Sequence, residues 1–157
     1  MPHIHDKIDF TVEAFIVYKN KVLLRMHDKA HIWMSVGGHV ELHEDPVEAL
    51  VREVKEEVGL DIHIEGVAYG PSSGTSENRH YRYLIPPRHL GRHPVSSTHE
   101  HLVLVYYATS DTDKVSNSLD EHEQAETRWV TMEELKNMDL VPNVRFYAEE
   151  ALKELGK

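Results

Sequence analysis

The sequence contains no cysteine, which excludes two kinds of structure at once. A chain without thiols forms no disulfide and builds no metal site from thiolate ligands. The same absence fits a reducing compartment, so we expect the protein in the cytoplasm.

Long apolar runs are also missing. No stretch approaches the length of a membrane span, and residues 1–6, MPHIHD, lack the pattern of a signal peptide. We therefore expect no association with a membrane.

Positive charge is scarce, since 17 basic side chains face 27 acidic ones and the formal net charge is −10. A balance of this sign argues against broad binding to nucleic acid, and we expect no such partner. With 157 residues, 40% of them apolar, the chain can build one real core but hardly two. We predict one domain over residues 1–157.

The chain has no internal repeat and no long linker, and its residue patterns predict strands and helices in mixed order. Strands are predicted over 8–18, 22–26 and 102–107, around Ile62, Ile64 and Val67, and from Thr127. A capping box of Thr131 and Glu134 starts a short helix, and a last helix follows the stripe Val144, Ala148, Ala151, Leu152 and Leu155, ending at Gly156. Helices that cover both faces of such a sheet predict an α/β fold, an α/β/α sandwich around a mixed β-sheet.

One helix can be delimited from its own residues. Asp45 suits the N-cap, Pro46 the first helical position, and Glu48 completes a capping box. Gly59 supplies the left-handed residue that ends a helix. These signals predict a helix over 46–58, about 20 Å long.

This helix has two distinct faces. Its predicted core arc consists of Val47, Leu50, Val51, Val54 and Val58. Glu53, Glu56 and Glu57 project from a separate face, where three like charges repel one another unless a cation lies among them. A hard divalent ion, Mg²⁺ or Mn²⁺, prefers such oxygen ligands. Before the helix, the glycine pair Gly37-Gly38 lets the backbone approach a ligand closely, so a main-chain carbonyl can join the carboxylates.

The spacing of these residues resembles the Nudix box. Gly38, then Glu44 after five residues, then the run REVKEEVGL at 52–60 after seven more, match its defining positions. The resemblance implies hydrolysis of a nucleoside diphosphate linked to another group, or of a similar diphosphate, and it implies the same sandwich fold. By matched position, Glu53, Glu56 and Glu57 resemble the metal carboxylates and Gly37 the carbonyl ligand. Arg52 and Glu44 resemble the pair that orients them.

Two positions differ from the usual family pattern. Val36 stands where a proline commonly precedes the glycine pair, and His43 stands where a glycine commonly precedes the first box glutamate. A residue with a Cβ is disfavoured at positive φ, so His43 bears on the shape of this loop. Neither residue is a predicted metal ligand.

The mechanism we expect is metal-assisted attack of water on a phosphorus atom of a diphosphate. Glu53 or Glu56 would accept the proton, and sequence leaves that choice open because a general base is assigned by geometry. Arg52 would hold a carboxylate rotamer.

Residues 78–98 form a basic segment within this acidic chain. It holds three histidines, no acid, and the arginines Arg79, Arg82, Arg88 and Arg92. Its prolines and its place between two predicted strands indicate a long loop or a hairpin insertion. Guanidinium groups suit phosphate oxygens and tyrosines such as Tyr81 and Tyr83 can stack on a base, so we expect substrate contact here. A solvated loop that balances the acidic body, or a subunit contact in a homodimer, are the alternatives.

Three further groups of residues are candidates for the site. Arg25, at the end of the second strand, is a phosphate ligand by resemblance to the family. Nudix enzymes often place one more acidic residue before the strand that here contains Trp129, which favours Glu123 over Glu121. His99 and His101 flank Glu100 on a strand, but zinc sites usually need three or four converging ligands, so we interpret the two as surface or substrate-contacting residues.

Three other functions share this fold. A nucleotide-binding module without catalysis would lack a box carboxylate, and none is missing. An isoprenoid diphosphate isomerase would need a catalytic cysteine, and the chain has none. A hydrolase of non-nucleotide diphosphates stays open. Residues 75–77, TSE, lie where some subclasses carry a proline or tyrosine, so the sequence indicates no subclass beyond a small-molecule diphosphate substrate.

Overall fold

The computed structural model describes residues 7–27, 29–70, 81–116 and 125–157, in which eight strands and three helices are found. The strands are β1 (Ile8–Tyr18), β2 (Lys21–His27), β3 (Ile32–Met34), β4 (Val36–His39), β5 (Ile62–Ile64), β6 (His89–Pro94), β7 (Glu100–Ser110) and β8 (Thr127–Thr131). The helices are α1 (Pro46–Val58), α2 (Met132–Asn137) and α3 (Pro142–Leu155). Arg79, Glu121 and Glu123 lie outside the described residues, as does the 75–77 window.

All eight strands belong to one mixed sheet. Its continuous order is β3-β2-β1-β7-β5, while β4 pairs with β1, β6 with β7 and β8 with β2. β1 and β7 run parallel, from Ile8 opposite Glu100 to Val17 opposite Thr109, and the other pairings are antiparallel. One edge of β1 is shared by β2 and β4, and the other edge by β7.

The sheet separates two apolar cores. Side chains alternate along β1, so Val12, Ala14 and Ile16 face α1 while Phe15 and Val17 face α3. The first core contains Leu50, Val54 and Val58 of α1, and the second contains Val144, Ala148 and Ala151 of α3 together with Leu135 of α2. The predicted α/β/α sandwich around a mixed sheet is confirmed. Among the residues described, no helix is both long and apolar enough to cross a membrane.

The boundaries of α1 follow its capping residues, as predicted. The Asp45 carboxylate accepts hydrogen bonds from the amides of Val47 and Glu48, and the Glu48 side chain accepts one from the Asp45 amide. Gly59 ends the helix with a φ of 67°.

The predicted core arc of α1 was wrong at Val51. This side chain is 47% exposed, whereas Leu50 and Val54 are fully buried and Ala49 takes a core position that was not predicted. The sheet contacts α1 along a strip that is rotated toward Ala49, so Val51 lies at its solvent edge.

Three short strands escaped sequence analysis. β3 and β4 are too short or too rich in glycine for a clear alternation, and β6 lies inside the basic segment. Because β6 pairs with β7 along its whole length, from His89 to Pro94, the hairpin interpretation of that segment is correct for its second half. Val67 lies beyond the end of β5 and is 60% exposed.

Candidate active site

Two glycines of β4 allow the strand to lie directly against its neighbours at the carboxylate face of α1. A Cβ on Gly38 would collide with the Glu53 carboxylate, and a Cβ on Gly37 would collide with the main-chain oxygen of Val12 on β1. A side chain at either position would therefore push the strand away from the helix or out of the sheet. The close approach of backbone and carboxylate depends on glycine here.

Arg52 is the centre of the polar network on α1. Its Nε and Nη2 donate to the two oxygens of Glu44, at 2.9 and 2.6 Å, in a bidentate pair. Its Nη1 donates to Glu53 at 2.9 Å and to Glu56 at 3.1 Å. A further Nη2 bond of 3.0 Å reaches the main-chain oxygen of His39, which connects the helix to the end of β4.

The charges of this pair are mutually stabilised. Hydrogen bonds from Arg52 lower the pKa of Glu44 to about 2, so Glu44 stays ionised far below neutral pH. The bonds to Glu44 and Glu53 in turn raise the pKa of Arg52 above its already high ordinary value. Arg52 thus holds a fixed positive charge between two carboxylates of α1, Glu53 and Glu56.

Glu57 faces the glycine pair from the next turn of the helix. Its Oε2 accepts a hydrogen bond of 3.2 Å from the Gly37 amide, and its Oε1 lies 3.6 Å from Nη1 of Arg25 on β2. The side chains of Glu57 and Arg25 are both 18% exposed. Arg25, a candidate phosphate ligand by resemblance, is therefore part of the same cluster.

The three box glutamates differ in exposure. Glu53 is 15% exposed at its side chain and Glu57 is 18% exposed, while Glu56 is 60% exposed. Together with the main chain of Gly37 they offer only oxygen ligands, the donor set that a hard divalent cation prefers. The donor set therefore fits Mg²⁺ or Mn²⁺.

The two departures from the family pattern leave this geometry intact. His43 is exposed and keeps a negative φ, since the non-glycine residues with positive φ in the described chain are Lys19 and His31. Val36 is fully buried in the core under α1.

The described arginines of the basic segment each meet carboxylates of the protein. Arg82 lies at the start of α1, 3.0 Å from Asp45 and 3.4 Å from Glu48. Arg88 pairs with Glu150 and Glu154, which brings it to α3 and not to the carboxylate face of α1.

Arg92 makes two bonds to the Glu100 carboxylate across the β6–β7 hairpin, at 2.6 and 2.8 Å. Tyr83 is partly buried and its ring packs against Tyr81, with ring centroids 5.0 Å apart, and against Gly70. These contacts agree with the alternative in which the segment balances an acidic body. Among the described arginines of the segment, Arg82 is the one that pairs with residues at the start of α1.

Sequence analysis did not identify Glu13 of β1 as a residue beside the glycine pair. Glu13 pairs with Gly37 in the sheet, and burial raises its pKa while a hydrogen bond with Ser35 acts in the opposite direction. The polar residues Asp9, Thr11 and Glu13 alternate with apolar ones along β1, which was the available signal that this strand carries a polar stripe on one face.

His99 and His101 are joined by residues far away in the sequence. The His39 and His101 rings lie 4.8 Å apart, the His99 and His101 rings 5.4 Å, and Asp9 contacts both His39 and His99. Burial lowers the pKa of His101, and the neighbouring His39 and His99 lower it further.

Comparisons with known proteins agree with this architecture. The structure of a NUDIX family hydrolase from Clostridium perfringens is 37% identical in sequence, with a TM-score of 0.82, and the match covers 94% of this chain and 97% of that one. A MutT protein from Methanosarcina mazei Go1 is 22% identical with a TM-score of 0.63, covering 99% and 100%. A MutT NUDIX hydrolase from Burkholderia pseudomallei is 19% identical with a TM-score of 0.61, covering 96% and 99%. These last two share the fold.

A search of curated proteins gave no match. The model of the NUDIX domain, in contrast, matches residues 10–152, a range that begins within β1 and ends within α3. The glycine pair, the carboxylate face of α1 and the sandwich around them thus have one explanation: the chain belongs to the NUDIX family.

Proposed function

We propose that the protein is a metal-dependent hydrolase that cleaves a diphosphate linkage in a nucleoside diphosphate joined to another group. The observation that carries this proposal is the approach of the Glu53 and Glu57 carboxylates to the Gly37-Gly38 backbone. Carboxylate oxygens that lie against this glycine backbone suit a divalent cation and the phosphates that it binds.

Glu53, Glu56, Glu57 and the Gly37 carbonyl would hold Mg²⁺ or Mn²⁺. When bound, such an ion lowers the pKa of water and offsets the charge that accumulates on the departing phosphate. Arg25 lies beside Glu57 with 18% of its side chain exposed, so its guanidinium can turn to a substrate phosphate without leaving the cluster.

Arg52 has a positioning role in this proposal. It contacts both candidate proton acceptors, Glu53 and Glu56, through the same Nη1 atom and is itself fixed by Glu44. One of these two glutamates accepts the proton of the attacking water, and Arg52 sets the rotamer of each.

The substrate is a small-molecule diphosphate, which we place against Arg25 and Arg82. Arg79, Tyr83, Arg88 and Glu123 stay candidates from sequence for substrate contact. Arg82 is 68% exposed at its side chain and lies at the N-terminus of α1, a location that favours anions. An Arg82→Ala variant should raise KM about tenfold if it holds phosphate, the effect of losing one charge-assisted hydrogen bond.

The proposal is tested by a turnover screen of the purified protein with Mg²⁺ or Mn²⁺. The panel contains nucleotide sugars, dinucleoside polyphosphates, nucleotide cofactors, modified nucleoside triphosphates and, for comparison, diphosphates without a nucleoside. Products are identified as the two phosphate-bearing halves. We expect hydrolysis of at least one class, lost with chelator and in Glu53→Gln. Arg92→Ala is the matched control for Arg82→Ala, because the ion pair of Arg92 with Glu100 lies on β6 and β7, away from α1.

Two other outcomes would contradict the proposal. Binding of a nucleotide without turnover, at every metal concentration, would indicate a binding module. Turnover confined to diphosphates without a nucleoside would indicate the third function that sequence analysis left open.

A further inference from the structure

Three strands bring imidazole and carboxylate groups together at one end of the sheet. Asp9 of β1 lies opposite His101 of β7 in the parallel pairing, and His39 ends β4 opposite Thr11. Because residues two apart on a strand share a face, Asp9 and Thr11 point to the same side of the sheet. The three side chains therefore meet although they are far apart in the sequence.

The three side chains lie close enough together to bind one metal ion. One ligand atom each of Asp9, His39 and His101 lies within 4.8 Å of the others, and His39 Nε2 is 3.5 Å from Asp9 Oδ2. A tetrahedral site with bonds of about 2.0–2.2 Å needs ligand atoms roughly 3.4 Å apart, so a pair at the full 4.8 Å must close by about 1.4 Å. The side chains of His39 and Asp9 are 58% and 48% exposed, which leaves them room to rotate.

We propose that Asp9, His39 and His101 form a second metal site, selective for a borderline transition ion such as Zn²⁺. Two imidazoles and one carboxylate suit Zn²⁺, whereas Mg²⁺ prefers oxygen ligands and keeps several waters. The three protein ligands leave a fourth position for water. Sequence analysis rejected a zinc site because His99 and His101 were only two ligands, and the fold supplies Asp9 and His39.

His99 supports this site from outside the ligand set. Its Nε2 lies 3.0 Å from Asp9 Oδ2, so it can orient the Asp9 carboxylate as outer partners of metal ligands usually do. Such partners typically contribute 10- to 100-fold to metal affinity.

The second site is connected to the first through the backbone of β4. The main-chain oxygen of His39 accepts a hydrogen bond from Arg52, and Gly37 lies two residues before it on the same strand. A metal ion bound to the His39 ring would therefore link the C-terminal end of β4 to β1 and β7.

The test is a calorimetric titration of the full-length protein with Zn²⁺ in the presence of excess Mg²⁺, which occupies the carboxylate site. We expect one zinc ion to bind, at least tenfold more weakly in Asp9→Asn and in His101→Gln, and Zn²⁺ to raise the melting temperature of the wild type more than that of either variant. Asp9→Asn keeps the size of the side chain, and its melting curve without metal verifies that it folds. With Co²⁺ in place of Zn²⁺, the visible absorption of a four-coordinate ion should appear in the wild type and weaken in both variants.

His63→Gln is the matched control, because His63 is also an exposed histidine next to an aspartate, Asp111 at 3.0 Å. It should bind zinc as the wild type does. This result would distinguish binding at the proposed site from non-specific zinc binding by the thirteen histidines of the chain. Glu57→Gln should also bind zinc normally, and His99→Ala 10- to 100-fold more weakly. Equal zinc affinity in wild type and Asp9→Asn, or loss of zinc binding in Glu57→Gln alone, would overturn the proposal.

Discussion

The two faces of α1 are formed by one helix of thirteen residues but have different roles. One face buries Leu50, Val54 and Val58 completely against the sheet. The other carries Arg52 and three glutamates, and Glu56 there is 60% exposed. Burial stabilises the first face, while ion pairs near water contribute little to the stability of the second.

Chemistry and stability can therefore be changed separately on this helix. A substitution on the carboxylate face should alter turnover with little effect on unfolding, and one on the core face should do the reverse.

Glu56→Gln should have the largest effect. We expect kcat to fall by about 10²–10⁴-fold if Glu56 accepts the proton, the range typical of general-base catalysis. The free energy of unfolding should change by less than about 0.5 kcal/mol, since the residue is largely exposed. Steady-state kinetics and thermal melting measure the two quantities.

A metal titration separates the two candidate bases. The variant that has lost the base should bind Mn²⁺ as the wild type does, whereas loss of a ligand should weaken Mn²⁺ binding along with kcat. Glu133→Gln is the control, because Glu133 is an exposed helical glutamate paired with Lys136. A loss of thermal stability in Glu56→Gln would mean that the two faces are not separable.

Arg52→Lys should reduce kcat by about 10- to 100-fold, the usual cost of losing a group that orients metal ligands. Lysine keeps the charge but cannot reproduce the bidentate pair with Glu44 and the bonds to both Glu53 and Glu56. Arg92→Lys breaks a similar bidentate pair with Glu100 and should keep wild-type turnover. Equal kcat values in the two variants would contradict a positioning role for Arg52.

Val54→Ala should destabilise the protein by about 2 kcal/mol, because it removes two buried methyl groups and leaves a cavity. Val51→Ala is the same substitution one turn earlier on the helix, at a side chain that is 47% exposed, and should stay within about 0.5 kcal/mol of wild type. Denaturant unfolding measures both values, and kcat of the folded protein should change little in either. Similar destabilisation in both variants would indicate that Val51 belongs to the core.

Glu44→Gln should have the smallest effect, visible as a change in acid stability. The folded pKa of Glu44, about 2, lies below the ordinary 4.5, so its ionised form contributes stability above pH 4.5 that is lost as the pH falls toward 2. In the variant, stability at neutral pH is lower and the decline between pH 4.5 and 2 is shallower. Melting temperatures measured against pH should show converging curves at low pH, and parallel curves would contradict the pairing with Arg52.

The features that sequence predicted well are those whose causes are local. The ends of α1 follow from Asp45, Glu48 and Gly59, which act within one turn of themselves, and the structure has them as predicted. The spacing of Glu53 and Glu57 on a helix likewise fixes their common face.

The features that sequence missed depend on partners far along the chain. β4 is recognisable by its pairing with β1, since its own residues, Val36–His39, show little strand propensity. The exposure of Val51 depends on how α1 is rotated against the sheet, and the approach of Asp9 to His101 depends on the parallel register of β1 and β7. The spacing of nearby residues predicts neither of these two features.

The parallel register has a consequence for the protein during its synthesis. β1 finds β2 at once, as the two share a tight hairpin, but the other edge of β1 must wait for β7, roughly ninety residues later, on the order of 5–20 s at ordinary rates of translation. Until then a long apolar strand leaves the ribosome with unpaired amide and carbonyl groups along one side, which are a template for pairing with other chains. Asp9 and Glu13 interrupt this apolar strand with charge, and charged side chains in a strand disfavour such pairing between chains.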